Sequence, residues 1–177
     1  YMKIQDYTEE LLNLRRHFHQ HPELALQEVE TSAYIRRYLE KLGYTVTAVE
    51  PTGLIAELPC LKKREKLIIL RAEMDALPIQ EQTGLPYASV NQGCMHACGH
   101  DMILAAALIL AKIVAEEQET FPVRMRFLFE PAEEIGEGAK RMIQAGALKD
   151  PRPDAFLMFH YAADMTLGMA VHQGQAS

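Results

Sequence analysis

Three things are scarce in this chain of 177 residues. Its cysteines, Cys60, Cys94 and Cys98, are too few and too odd in number for a disulfide framework. Two of them crowd one histidine-bearing loop, which suits a reducing compartment such as the cytoplasm, and a metal, better than a staple. Basic charge is not in excess either. Lys and Arg total 18 against 24 Asp and Glu, and a formal net charge of −6 leaves nothing to neutralise nucleic-acid phosphates or anionic lipid. Long apolar runs are also missing: Met102 to Ala111 is closed by Lys112 well short of the roughly 18 residues that a membrane span needs. No apolar signal region stands near the N-terminus, and the chain holds no internal repeat or low-complexity tract. What remains is ordinary globular usage, 49% hydrophobic and 24% charged, in a length that suits one core.

Periodicity then divides the chain. Thr8 followed by Glu9 and Glu10 reads as an N-cap with an acidic first turn, opening a helix that Pro22 stops. Ile35, Tyr38, Leu39 and Leu42 recur at helical spacing before Gly43, so a second helix is predicted over about Glu28 to Leu42. Tyr44, Val46 and Ala48 alternate as a half-buried strand, paired through Pro51-Thr52-Gly53 to a second strand at Leu54 to Leu58. Leu67 to Leu70 is an unbroken run suited to a strand buried on both faces. Ala76 to Gly99 shows no period and is long for a loop that serves no site. An apolar helix follows from about Asp101 to Glu117, then an alternating strand over Val123 to Glu130 and a helix over Glu137 to Ala145. Two last strands are expected at Ala155 to Phe159 and Leu167 to Val171. Strands interleaved with helices imply a layered α/β sheet.

The chemistry-bearing residues gather at the predicted strand ends. Cys94, His96, Cys98 and His100 alternate, so an extended backbone could aim thiolates and imidazoles at one point, a donor set suited to zinc, and to cobalt or manganese once carboxylates join it. A loop of ordinary packed side chains is the alternative. Glu133-Glu134 follows a strand end, where an irregular turn could send one carboxylate to a metal and the other to a water; a solvated acidic turn is the bland reading. Glu73 and Asp75 end the Leu67 strand and His160 ends the Ala155 strand, the edge at which open α/β sheets bind ligands. His17, His19 and His21 read as a polar helix face near the surface.

Arg71 to Pro78, Met95 to Asp101 and Pro131 to Glu134 closely resemble the successive signatures of the aminoacylase and carboxypeptidase type metallo-amidohydrolases. The branch is that of hippurate hydrolase, N-acetyl-diaminopimelate deacetylase and the plant indoleacetyl-amino-acid hydrolases. His19-Gln20-His21-Pro22-Glu23, Phe159-His160 and Leu167-Gly168 fall in the family's order, so the likeness spans nearly the whole chain.

The resemblance implies a three-layer αβα zinc-exopeptidase-like fold and two divalent metal ions, zinc or manganese. Cys98 would bridge them, His100 and His160 would complete one, and Glu134 would bind the other. Glu133 would act as general base toward the bridging water, with Asp75 as a supporting carboxylate. The substrate implied is an N-acyl amino acid or similar small amide; a dipeptide exopeptidase, or an inactive metal-binding or dimerising fragment, are the alternatives. Glu73 stands where the family has aspartate, Glu130 where an amide is common, and Met102-Ile103-Leu104 replaces a stretch with another histidine and a threonine. Residues 1–177 would form the N-terminal part of a catalytic domain, without the lid and dimerisation domain, the C-terminal return or its last histidine. An open sheet edge then leads to the expectation of self-association into a homo-oligomer.

Overall fold

The computed structural model describes residues 4–59 and 66–161. A 3-10 turn, Ile4–Tyr7, leads into α1, Thr8–Gln20, followed by α2, Val29–Lys41. Strands β1, Thr45–Val49, β2, Gly53–Glu57, and β3, Leu67–Glu73, precede the long helix α3, His100–Glu116. β4, Arg124–Glu130, α4, Gly138–Gln144, and β5, Ala155–Met158, complete it. The five strands form one mixed sheet in the order β1-β2-β4-β3-β5, with β3, β4 and β5 mutually parallel and β1 and β2 antiparallel.

Alternation along the strands builds three layers. Leu54, Ala56, Leu70, Ala72, Phe127 and Phe129 face one side and pack with Leu14, Phe18, Ile35, Leu39, Leu104 and Leu108 of α1, α2 and α3. Ile69 and Leu128 point the other way, toward Met142 of α4 and Ala147. α3 is apolar almost all round because it is covered by α1 and α2 on one side and by β3 and β4 on the other. Fully burying a side chain such as Leu104 or Leu108 contributes about 1.5 to 3 kcal/mol.

Several expectations shift. Thr8 is the first helical residue and not the cap; Tyr7 takes that place, with no side-chain capping bond. β1 is an edge strand, so Tyr44 is buried and Val46 half-buried while Ala48 is exposed. β4 is buried on both faces because it lies in the middle of the sheet, and its apparent polar position, Arg126, is itself buried. The Arg126 guanidinium donates to Glu57 Oε1 at 3.0 Å and to the carbonyls of Ala147 at 2.6 Å and Lys149 at 2.9 Å, so it ties the segment after α4 to the sheet. The strand expected over Ala155 to Phe159 ends at Met158, and the one expected over Leu167 to Val171 lies outside the described residues. Among the described residues no helix is long and apolar enough to cross a membrane.

Candidate metal centre

Because β3, β4 and β5 run parallel, their carboxyl ends meet at one edge of the sheet. That edge brings Glu73 and Asp75, the turn Pro131–Glu134, and His160 alongside His100, the first residue of α3. The loop before α3 is not extended, so the alternating donors do not converge as the bare spacing allowed. Cys94 is buried with its Sγ 3.5 Å from the carbonyl of Pro22. Cys98 and His100 instead turn to the site, where their donor atoms and that of His160 all lie within 4.8 Å of one another. A second group, His100, Glu133 and Glu134, meets the same limit and shares the same imidazole; neither Cys94 nor His96 belongs to either. Gly99, at φ +96°, makes the approach possible, since a Cβ there would stand 3.3 Å from Tyr161 Cβ and 3.2 Å from Met102 Cε.

His100 is 0% exposed, and its hydrogen bond fixes one ring nitrogen as a donor. Nδ1 lies 2.8 Å from the backbone carbonyl of Asp75, and a carbonyl only accepts, so Nδ1 carries the proton. In the neutral ring Nε2 then holds a lone pair. That atom is buried and has no hydrogen-bond partner, with Glu133 Oε2 at 3.7 Å and Glu134 Oε1 at 3.9 Å. Glu134 Oε1 is likewise buried and unpartnered. The Cys98 Sγ lies 3.8 Å from His160 Nε2. Partial burial, followed by the carboxylates of Glu134, Glu133 and Glu73, pushes the Cys98 thiol up to about 11. Thiol, imidazole and carboxylates gathered at one point make a donor set that fits a divalent cation.

Asp75, also 0% exposed, builds the floor of this site. Its Oδ1 accepts the backbone N–H of Glu133 at 3.1 Å and its Oδ2 that of Glu134 at 2.9 Å. One residue earlier, Ala132 sits at φ +54°, a left-handed conformation that costs a non-glycine residue of order 1 kcal/mol and persists only where its surroundings over-determine it. Its amide donates to Glu28 Oε1 at 2.8 Å, and the start of α4 presses so close that a Cβ on Gly138 would fall 1.8 Å from the Pro131 carbonyl oxygen.

Three features escaped the sequence reading. Arg71, in the middle of a strand run, gathers Glu130 through Nε, Glu73 Oε1 at 2.6 Å, and Glu133 Oε1 at 3.7 Å. Glu73 and Glu130, the two carboxylates that depart from the resembled family, thus face the same guanidinium. Burial raises the Glu73 carboxyl above its ordinary range although Arg71 opposes the shift. His19 is not on a solvated face: it is 3% exposed, with Nδ1 2.8 Å from Asp101 Oδ2 and Nε2 3.2 Å from Glu81 Oε1. Arg15 Nε donates to the same Asp101 oxygen at 2.9 Å, so α1 is tied to the first turn of α3 beside His100. His96 is 4% exposed with neither ring nitrogen partnered, and burial pushes its imidazole down to about 4, leaving it neutral. Only the spacing of His19 within a helix that also buries Leu14 and Phe18 hinted at the second of these.

A three-layer sheet with this edge belongs to a known class, and residues 69–172 match the family model of peptidase family M20/M25/M40. The chain belongs to that family. It is 43% identical over 169 residues to an N-acetyl-L-cysteine deacetylase of Bacillus subtilis, covering 94% of this chain and 40% of the relative. It is 44% identical over 162 residues to an N-acetylcysteine deacetylase of the same organism, covering 89% of this chain and 41% of the relative. Among solved structures, a dinuclear metal binding peptidase of the M20 family from Bacillus subtilis superposes with a TM-score of 0.83 at 41% identity, over 92% of this chain and 45% of that one. A chain from methicillin-resistant Staphylococcus aureus gives a TM-score of 0.85 at 39% identity, over 91% of this chain and 43% of that one. The chain therefore spans about two fifths of the length of the curated relatives it matches.

Proposed function

We propose that residues 1–177 form the N-terminal part of the catalytic domain of a metal-dependent amidohydrolase that cleaves N-acyl amino acids or similar small amides. The observation that carries this reading is the buried and unpartnered Nε2 of His100, faced by Glu133 and Glu134 and grouped with Cys98 and His160. In this reading Cys98, His100, His160 and Glu134 hold two divalent ions, zinc or manganese. When bound, the ions supply Lewis acidity toward the amide carbonyl. Glu133, half-buried with one oxygen toward Arg71 and the other toward His100, takes a proton from the attacking water and delivers it to the departing amine nitrogen. Asp75 holds the amides of both glutamates, which keeps the two side chains on one side of the turn. The likeness to enzymes that deacetylate N-acetylcysteine favours a small acyl group on an amino acid.

Two glutamine substitutions test the assignment. Protein purified without chelator or affinity-tag metal should carry close to stoichiometric metal by elemental analysis. In the full-length protein, Glu133→Gln should keep that metal while hydrolysis of N-acetyl-L-cysteine falls about 10² to 10⁴-fold, the usual worth of general acid-base catalysis. Glu134→Gln should lose metal affinity and regain part of its activity in excess metal, because mass action refills a weakened site. Rescue of Glu133→Gln in place of Glu134→Gln would reverse the roles, and absence of metal from the wild-type chain would sink the reading.

A further inference from the structure

Glu28 has the wrong surroundings for the place it occupies. It is the N-cap of α2, where an acidic side chain ordinarily lies in solvent and faces the helix's own free amides. Here it makes no such bond, and Glu23 does that work instead, with Oε1 accepting Glu30 N–H at 3.1 Å and Oε2 accepting Thr31 N–H at 2.8 Å. The Glu28 side chain turns inward and is 0% exposed. Its Oε1 accepts the amide of Ala132 at 2.8 Å and its Oε2 accepts the hydroxyl of Thr52 at 2.6 Å, in the turn between β1 and β2. A buried carboxylate is costly unless it is used, and both oxygens are used away from its own helix.

We infer that Glu28 is a positioning residue for Glu133 and Glu134. Three consecutive amides, those of Ala132, Glu133 and Glu134, are each captured by a fully buried carboxylate from outside the turn. Glu28 takes the first and Asp75 the next two. The first of the three belongs to the residue with positive φ, which is where the chain changes direction and both glutamate side chains are swung toward His100. Without an acceptor at that amide, Asp75 still holds the far end of the turn and the Ala132 carbonyl still accepts the amides of Glu137 at 3.1 Å and Gly138 at 3.3 Å, but the N–H side of Ala132 loses the bond that holds its left-handed φ and can relax toward an ordinary backbone. The carboxylates would then leave the imidazole. Thr52 fixes Glu28 from the other side, so the strained turn is braced between the start of α2 and the β1–β2 turn.

The inference rests on the metal-site reading only in what the turn carries, and the bracing itself is measurable without metal. Backbone amide exchange of the 177-residue chain, followed by NMR, is compared for the wild type, Glu28→Met, Glu28→Gln and Thr52→Val, and each protein is titrated with Co²⁺ while thiolate-to-cobalt absorbance from Cys98 is recorded. Glu28→Met fills the volume without an acceptor. It should speed exchange at Ala132, Glu133 and Glu134 by about tenfold or more while interior amides of β4 keep their protection, and weaken cobalt binding by about 10 to 100-fold, as loss of a residue supporting metal ligands typically does. Glu28→Gln retains an acceptor for Ala132 and should restore most of both. Unchanged exchange at residues 132–134 in Glu28→Met, or exchange that rises equally throughout β4, overturns the inference, as does unchanged cobalt affinity beside a wild type that binds. If the wild type takes up no cobalt, the metal reading fails and the exchange pattern alone decides the role of Glu28. If Glu28→Met does not fold, Thr52→Val decides: a smaller change confined to the same three amides supports the bracing, and no change overturns it.

Discussion

The turn after β4 and the end of β5 both bring donors to the same site, yet they are held in opposite ways. Pro131–Glu134 is locked by buried carboxylates, by a strained Ala132 and by the close start of α4. β5 is exposed along its whole length, and Phe156, Met158 and Phe159 stand 44%, 60% and 56% accessible. His160 therefore reaches Cys98 from a strand secured by its ladder to β3 and by Asp154, whose Oδ2 accepts the amide of Leu67 at 2.8 Å. One half of the site is preset by the fold, and the other half is delivered by a lightly held arm.

The largest test of this contrast is Asp75→Ala. It strips a fully buried acceptor from two part-buried amides, and stability at pH 7 should fall by about 2 to 4 kcal/mol in urea unfolding. A loss below about 1 kcal/mol would mean that the turn does not depend on its floor. A middle-sized effect is expected at Cys98, where the two regions meet. Its thiol is pushed up to about 11, so it stays protonated at neutral pH and forms thiolate only as the pH climbs toward that value. Metal-free protein at pH 8 should be alkylated there about tenfold more slowly than an ordinary thiol, once the greater nucleophilicity of a more basic thiolate is allowed for, and the rate should keep rising past pH 10. Mass spectrometry locates the adduct; a rate that levels off by pH 9 would show that burial and the neighbouring carboxylates do not raise this thiol. The smallest effect belongs to His160→Ala. An exposed side chain at the end of an exposed strand should change stability by no more than about 0.5 kcal/mol, and a larger loss would show that β5 is better held than its accessibility indicates.

The same contrast explains what could be read from the sequence. Parallel strands have their carboxyl ends at one edge, so recognising three strand ends with Asp75, Glu133-Glu134 and His160 was enough to predict their meeting before any contact was known. The helix starting beside His100 was equally legible from its apolar run. The bracing was not. Glu28 and Ala132 are separated by most of the chain, and nothing in the local pattern of an acid at a helix start says that its side chain will turn inward. Arg71 is similar: Glu73 stands two residues along its own strand, but Glu130 and Glu133 come from β4 and the turn beyond it, and only the parallel register of β3 with β4 brings them to the same guanidinium. His19 was misread for the opposite reason, since its neighbours in sequence, Arg15, Arg16 and His17, are polar, while the group that buries it is Asp101 at the start of α3.

The ladder from β3 to β5 has a kinetic side. Four steps of pairing, Ile68 with Ala155 through Arg71 with Met158, close a loop as long as half the chain and are rewarded by little burial. An exposed strand held by four pairings opens at low cost, so native-state fluctuations should release β5 before the buried strands β3 and β4. An ion seated among Cys98, His100 and His160 would join the end of that strand to the start of α3. It would act as a clasp, slowing the fraying of this exposed seam in proportion to its own residence time.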